Sequence, residues 1–241
     1  MRWQQGWRKA QWAASGKVGR LRIGFISTGI HEIVPNLMRR FRKIYPEVEF
    51  SLRNVLTGEQ VEKIQNGALD VGFLRLPVGQ IDGVEITMVH SEPLVVVVPL
   101  NHDLARAKEV RLQDLRGETF VMYERSYAPG FHDFLISILS RAGVVPHVFQ
   151  TAGEMPTLIS LVDSGMGVAL LPASAARVRD AKVVACTISD RLPPSQIGMI
   201  VSKTNDAPVV EKFCELARKV FQPDQGVDAR KTAAETKNPR S

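Results

Sequence analysis

Two successive runs of strands alternating with helices constrain the fold of this chain more than any other feature of its sequence. The first run predicts strands and helices, in turn, at residues 21–26, 30–44, 48–55, 57–66 and 71–74. The second run predicts them at residues 119–122, 131–142, 148–151, 155–164 and 168–171. Strands that alternate with amphipathic helices are typical of mostly parallel sheets covered by helices. We therefore predict an α/β fold of two doubly wound lobes.

The remaining patterns predict how the chain passes between the lobes. Leu94–Val98 and Ile197–Ser202 are placed to form two hinge strands, and a last amphipathic helix covers residues 208–221. Ligands of such folds bind beyond the carboxyl ends of the strands, which here is the cleft between the lobes. The predicted segments are the end of a linker helix at 1–19, lobe 1 at 20–96 plus 202–222, lobe 2 at 97–201, and a disordered tail at 223–241.

The distribution of charge argues against nucleic-acid binding by the folded body. The chain carries a net charge of +6, but residues 1–20 hold five basic and no acidic side chains. Residues 21–221 hold 22 basic and 22 acidic side chains, so their net charge is zero. A DNA-binding module is expected to carry its basic excess on one face of the fold. We therefore predict no sequence-specific DNA affinity for this chain.

Several absences in the sequence favour a cytoplasmic protein. No apolar run approaches the roughly 18–20 residues that span a bilayer, and the basic N-terminus is not followed by the apolar segment of a signal peptide. Cys186 and Cys214 match no metal or redox spacing, which predicts buried thiols in a reducing compartment. We expect no membrane association.

Polar residues that follow predicted strands are candidates for binding a ligand in the cleft. Ser27 and Thr28 follow the first strand, and Thr57 opens the second helix with Thr57-Gly58-Glu59-Gln60, a capping-box pattern. Free amides and the macrodipole make helix N-termini suited to anions. We therefore expect a small anionic organic ligand. The alternative is that these hydroxyls act only as N-caps.

Two further candidates supply a cation and a loop of mixed chemistry. Arg75 follows the third strand and is either a ligand-binding cation or a solvated surface residue. The loop 123–131 of the second run contains Arg125, Pro129 and Phe131, and loops on a rigid scaffold often hold binding residues.

Patterns of known catalytic sites are missing. The histidines (His31, His90, His102, His132, His147) have no zinc-ligand spacing, and no nucleophile elbow or Walker loop occurs. Gly165-Met166-Gly167 lacks the third glycine of a dinucleotide fingerprint, and Ser27 with His31 is a chance spacing. We expect no catalysis, no metal and no cofactor.

The sequence resembles the effector-binding (regulatory) domain of LysR-type transcriptional regulators from about Ala13 to Phe221. Four markers carry the resemblance: Ala14-Ser15-Gly16-Lys17-Val18-Gly19-Arg20-Leu21-Arg22-Ile23-Gly24-Phe25, Leu69-Asp70-Val71-Gly72-Phe73, Glu92-Pro93-Leu94-Val95-Val96-Val97 with Pro99-x-x-His102-Asp103-Leu104, and Val162-x-x-Gly165-Met166-Gly167-Val168-Ala169-Leu170-Leu171-Pro172. Their order and spacing together are more specific than any one of them.

The resemblance implies a periplasmic-binding-protein-like fold whose cleft binds a small coinducer. It places ligand contacts at Ser27 and Thr28, at Thr57, and in the segment Arg125–Phe131. Gly72-Phe73-Leu74-Arg75-Leu76 and Pro129-x-Phe131 resemble the branch that senses aromatic-degradation intermediates such as muconate or benzoate.

The resemblance also implies partners. It predicts head-to-tail dimers or tetramers, for which the helices at 30–44 and 207–221 are the candidate surface. The family's N-terminal helix-turn-helix is missing from this sequence, so DNA binding is expected only through that module. Two other functions are compatible with the patterns: a free-standing solute-binding protein, and a small transferase or deaminase-like enzyme.

Overall fold

The computed structural model describes residues 18–27, 33–177 and 182–221. Its strands and longer helices follow one another as β1 (Val18–Phe25), α1 (Ile33–Ile44), β2 (Glu47–Asn54), α2 (Thr57–Gln65), β3 (Val71–Leu76), β4 (Val84–Glu92), β5 (Leu94–Pro99), β6 (Glu109–Val110), β7 (Thr119–Tyr123), α3 (Pro129–Arg141), β8 (His147–Ala152), α4 (Met155–Asp163), β9 (Ala169–Pro172), β10 (Val183–Ile188), β11 (Ser195–Ser202) and α5 (Pro208–Val220). Short 3-10 turns lie at Asp103–Arg106, Leu112–Leu115 and Ala173–Arg177. Within these ranges, no helix has both the length and the apolar character needed to cross a membrane.

The first lobe is built on a five-stranded sheet of order β2-β1-β3-β11-β4. Strands β1, β2 and β3 run parallel, as the alternation of strands and helices predicts. Strand β11 enters from the far end of the chain and pairs antiparallel with both β3 and β4. The sheet is therefore mixed, and the prediction of mostly parallel sheets is wrong for its β11 side.

Helices cover both faces of this first sheet. On one face, α1 buries Ile33, Val34, Leu37 and Phe41 in the core that α5 also enters. The rings of Phe41 and Phe213 meet edge to face with centroids 5.2 Å apart. On the other face α2 buries Ile64.

The apolar faces of α1 and α5 are thus used inside their own lobe. The α5 residues Val209, Val210, Phe213, Cys214 and Ala217 are all buried. The prediction that these two helices supply a dimer surface therefore stays a prediction, and it concerns their outer faces.

The second lobe has a four-stranded sheet of order β6-β10-β5-β9 and a parallel pair, β7-β8. A bridge between Phe120 of β7 and Val168, next to β9, connects the two. Strand β5 is antiparallel to both β9 and β10, and β10 is parallel to β6, so this sheet is mixed as well. The buried residues of α3, α4, β5, β7 and β9 share one core.

Both crossings between the lobes lie earlier in the chain than the predicted hinge strands. Strand β5 lies entirely in the second sheet and β11 entirely in the first. The two connections are therefore Pro93, between β4 and β5, and the segment 189–194, between β10 and β11. Neither Leu94–Val98 nor Ile197–Ser202 is a strand shared by the lobes, and the boundaries at 96/97 and 201/202 shift accordingly toward the N-terminus.

Two predicted end segments fall mostly outside the described residues. Of the predicted linker-helix end at 1–19, only Val18 and Gly19 are described, and both belong to β1. The predicted tail at 223–241 lies outside the described residues.

The marker Leu69-Asp70-Val71-Gly72-Phe73 has a structural basis. Asp70 accepts hydrogen bonds from the main-chain N–H of Arg22 at 2.8 Å and from its guanidinium at 2.6 and 3.0 Å, which fixes β3 beside β1. A Cβ atom on Gly72 would lie 2.6 Å from Oε1 of Gln60. The glycine therefore lets the buried amide of α2 approach the sheet.

Candidate functional site

A pocket lies in the cleft between the lobes and is lined by both. It has about 380 Å³ of empty space, including the part that opens to solvent. Its lining residues are Ile26, Ser27, Leu56, Thr57, Arg75, Tyr123, Tyr127, Ala128, Phe131, Gly153, Glu154 and Met155. They lie at or just beyond the ends of strands β1, β3, β7 and β8 and at the starts of the helices α2, α3 and α4, as expected for a site at the carboxyl ends of strands.

Three helices begin at this pocket. Leu56, Ala128 and Glu154 are the N-cap residues of α2, α3 and α4, and all three line it. None of these N-cap side chains makes a capping hydrogen bond. The first-turn amides and the positive ends of three macrodipoles are therefore directed toward the cleft, an arrangement that favours an anionic group.

Arg75 places a buried cation beside these helix starts. The residue is only 4% exposed, so the reading of Arg75 as a solvated surface residue is wrong. Its Nη1 donates to the hydroxyl of Ser195 at 2.7 Å and lies 3.7 Å from a carboxylate oxygen of Glu92. Its guanidinium carbon lies 5.3 Å from the ring centroid of Phe131. Burial lowers the pKa of Arg75, and the charge of Glu92 opposes that shift.

Glu92 connects this cation to the second lobe. Its carboxylate accepts hydrogen bonds from the main-chain N–H of Ser174 at 2.7 Å and from the Ser174 hydroxyl at 3.1 Å. Burial alone would raise the pKa of Glu92, but contacts with His90, Ser174 and Arg75 outweigh it and hold the pKa below its ordinary value. The carboxylate of Glu92, which does not line the pocket, thereby partly balances the charge of Arg75.

Thr57 reaches the site in a different way from the one predicted. It is the first residue of α2, not its N-cap, and its Oγ1 accepts a 3.2 Å hydrogen bond from the main-chain N–H of Arg75. Gln60 donates to the carbonyls of Val55 and Phe73 at 2.7 and 2.9 Å. The capping-box prediction is therefore wrong, because both polar side chains bond toward the sheet instead of to each other's amides.

The other predicted ligand residues divide into two groups. Ser27 and Phe131 line the pocket, and Phe131 is fully buried beneath Arg75. Arg125 does not line it, since its guanidinium forms a surface ion pair with Asp133 at 2.8 and 2.9 Å. Pro129 is exposed and acts as the first residue of α3. Thr28 lies outside the described residues.

Two further polar residues line the pocket: Tyr123, the first residue of the predicted loop 123–131, and Glu154, which sequence reasoning missed. Tyr123 is the last residue of β7, and Glu154 immediately precedes α4. The same rule that selected Ser27 and Arg75, a polar residue after a strand, applies to both of them.

Direct contacts join the lobes around the pocket. The main-chain N–H of Gly58 donates to the carbonyl of Tyr127 at 3.2 Å, and Nδ2 of Asn54 donates to Oε1 of Glu154 at 2.6 Å. Gly130 lies so close to Pro77 that a Cβ atom on it would be 2.1 Å from the Pro77 carbonyl oxygen. The two lobes therefore approach one another at backbone distance.

Comparison with known proteins agrees with this architecture and cleft. Residues 14–222 match the model of the LysR substrate binding domain. The chain belongs to the LysR family. The match covers most of the chain and confirms the resemblance carried by the four markers.

Named relatives of this LysR substrate-binding domain are transcriptional regulators. The HTH-type transcriptional regulator AlsR of Bacillus subtilis (strain 168) is 28% identical over 88% of this chain and 70% of AlsR. The HTH-type regulator YnfL of Escherichia coli (strain K12), itself uncharacterized, is 31% identical over 85% of this chain and 69% of YnfL. Among solved structures, CbnR, a LysR family transcriptional regulator, superimposes with a TM-score of 0.78 at 27% identity, over 89% of this chain and 74% of CbnR.

Proposed function

We propose that this LysR domain binds a small organic carboxylate in its interlobe cleft and thereby controls transcription by the regulator that contains it. The observation that carries the proposal is the meeting of three uncapped helix starts with one buried guanidinium in a single pocket. A carboxylate supplies the negative charge and the acceptor oxygens that such a pocket can bind.

The rest of the lining favours a ligand with an apolar body. Ile26, Leu56, Phe131 and Met155 contribute apolar surface, and the hydroxyls of Ser27 and Thr57 contribute polar groups. A few polar groups in an otherwise apolar lining are typical of sites for small organic molecules. This composition supports a cyclic or aromatic-derived acid.

Membership of the LysR family favours the regulatory role over the two other functions compatible with the sequence. A free-standing solute-binding protein would use the same two lobes and cleft, but the named relatives are transcriptional regulators. The same relatives favour a domain without catalytic activity. A regulator of transcription acts where the chromosome is, which favours the cytoplasm.

The proposal is tested by measuring binding of a defined panel of acids. Calorimetry and thermal unfolding of the full chain are compared with benzoate, shikimate and cis,cis-muconate. We expect at least one of them to bind and to raise the unfolding temperature, by an amount that corresponds to roughly 2.7 kcal/mol at 100 times the dissociation constant. Failure of all three to bind would overturn the carboxylate proposal.

Variants then locate the bound acid. Arg75→Gln is expected to weaken binding by roughly tenfold to a hundredfold, because a charge-assisted hydrogen bond contributes about 1.5–3 kcal/mol. Arg75→Lys retains the positive charge beside Glu92 and separates loss of the guanidinium from loss of the charge. Arg111→Gln, which removes an exposed ion pair with Asp114 outside the pocket, is the matched control. Equal affinity in Arg75→Gln and the parent would place the ligand elsewhere.

A further inference from the structure

Tyr123 stands at the junction of the two lobes, within the pocket. It ends β7, is 7% exposed, and lines the same pocket as Arg75 and Glu154. Its ring packs edge to face on Phe131, with centroids 5.3 Å apart. Since Arg75 also stacks on Phe131, the phenol and the guanidinium share one aromatic support.

The hydroxyl of Tyr123 has no hydrogen-bond partner among residues 18–27, 33–177 and 182–221. Its oxygen is not sealed from solvent, since Gln60 Oε1 is the one fully buried side-chain oxygen or nitrogen without a partner among the described residues. The charge partners of the phenol are Arg75, Glu92 and Glu154. The hydroxyl is therefore open to an acceptor on a ligand in the pocket.

The protonation state of the phenol determines which kind of group it can recognise. Burial raises the pKa of Tyr123 to about 12, so the hydroxyl keeps its proton at neutral pH. A protonated phenol donates a hydrogen bond, and its strongest partners are negatively charged oxygens. Its neighbour Arg75 is a donor as well. The two side chains therefore form a donor pair at one end of the pocket.

We propose that Tyr123 contacts the ligand directly and helps to determine its specificity, with its hydroxyl donating to a carboxylate or carbonyl oxygen that Arg75 also reaches. The inference rests on the proposed function and adds to it a requirement on the ligand. An acid whose acceptor oxygen reaches the Arg75 end can accept from the phenol. A compound of the same shape without that oxygen displaces solvent from the hydroxyl, offers it no acceptor and binds weakly.

The test compares Tyr123→Phe with the parent chain, using whichever acid of the panel binds. The substitution keeps the ring on Phe131 and removes only the hydroxyl. We expect the dissociation constant to rise roughly tenfold to a hundredfold, the range expected for a lost hydrogen bond to a charged group. The control is Tyr45→Phe, whose ring packs on Phe41 in the first lobe outside the pocket and whose loss of a hydroxyl should leave affinity unchanged.

A measurement without ligand separates binding from a structural role. Because the Tyr123 hydroxyl is unpaired in the described residues, Tyr123→Phe should leave the unfolding temperature of the free chain unchanged or raise it. A fall in that temperature, or a dissociation constant equal to that of the parent, would overturn the inference and leave the proposed function standing. If none of the three acids binds the parent, the proposed function and the inference that rests on it both fail.

Discussion

The main-chain N–H of Arg75 donates a hydrogen bond of 3.2 Å to the side-chain hydroxyl of Thr57. The bond joins the end of β3 to the first turn of α2, and both residues line the pocket. Because the oxygen of Thr57 serves as the acceptor, its own proton remains to be donated. One side chain of the pocket lining thus holds two elements together and keeps a proton that a ligand can accept.

Replacing Thr57 by valine tests this double role. Thr57→Val keeps the shape of the side chain but leaves the buried amide of Arg75 unpaired, so we expect the free energy of unfolding to fall by about 1–3 kcal/mol. Affinity for the bound acid should fall as well. Urea unfolding and calorimetry measure the two effects.

Thr57→Ser is the control for that substitution. It keeps the hydroxyl and should retain most of the stability and the affinity. If Thr57→Val were as stable as the parent, the bond between α2 and β3 would contribute nothing measurable.

Acid should weaken the fold partly through Glu92. Because its pKa in the folded chain is below the ordinary value of 4.5, its carboxylate contributes stability that is present above that value and is lost as the pH falls through the folded pKa. At neutral pH we expect Glu92→Gln to be less stable than the parent, since Arg75 loses its ion pair.

The difference between Glu92→Gln and the parent should narrow steadily as the pH falls below about 4.5. Unfolding in urea at a series of pH values measures it for both chains. A difference that stays constant between neutral pH and pH values well below the folded pKa would show that the carboxylate charge of Glu92 does not contribute.

The close approach of the two lobes should depend on the absence of a Cβ atom at Gly130. In Gly130→Ala the new methyl group would lie 2.1 Å from the carbonyl oxygen of Pro77, so the lobes would have to separate there. We expect weaker binding of the acid and a loss of about 1–3 kcal/mol of stability from overpacking. Gly79→Ala is the matched control, because nothing lies within 4 Å of the Cβ position at Gly79. Equal affinity in both variants would contradict the tight approach at Gly130.

Exposed sheet edges are a second candidate surface for self-association, beside the outer faces of α1 and α5. Within the described residues, β2 and β8 are edge strands of the two lobes. Val145 is 91% exposed and Phe149 61% exposed on or beside β8, and Leu52 is exposed on β2. Exposed apolar edges favour pairing with another chain.

Sedimentation of Phe149→Ser at tens of micromolar should therefore show weaker self-association than the parent, with an unchanged unfolding temperature. Leu100→Ser, which removes an exposed apolar side chain at the end of β5, should associate like the parent. A parent chain that remains monomeric at this concentration would refute the prediction.

The order of strands and helices could be predicted because the spacing of apolar residues within each segment indicates which of its faces is buried. The apolar face of α1 and the apolar run of β5 are buried where the sequence indicates. The position of β11 between β3 and β4 could not be predicted, because strand pairing is decided by contacts between residues far apart in the chain. The hinge was misplaced for the same reason.

The candidate site was predictable in place but only partly in detail. The rule that ligands bind at the carboxyl ends of strands selected Ser27, Thr57 and Arg75, and all three line the pocket. Arg125 was selected by the same rule but forms an ion pair with Asp133, a residue of the following helix α3. Whether a side chain points to the cleft or to a surface partner depends on how the loop packs. The types of residue in the loop do not predict that packing.

The position of β11 between β3 and β4 determines when the first lobe can be completed during synthesis. The second lobe, from β5 to β10, is one uninterrupted stretch of chain, whereas the first sheet needs β11 between β3 and β4 and needs α5 over its face. Domains tend to fold as units during synthesis. The lobe that is begun first is therefore completed last, and the nascent chain acquires its cleft only after α5 has been translated.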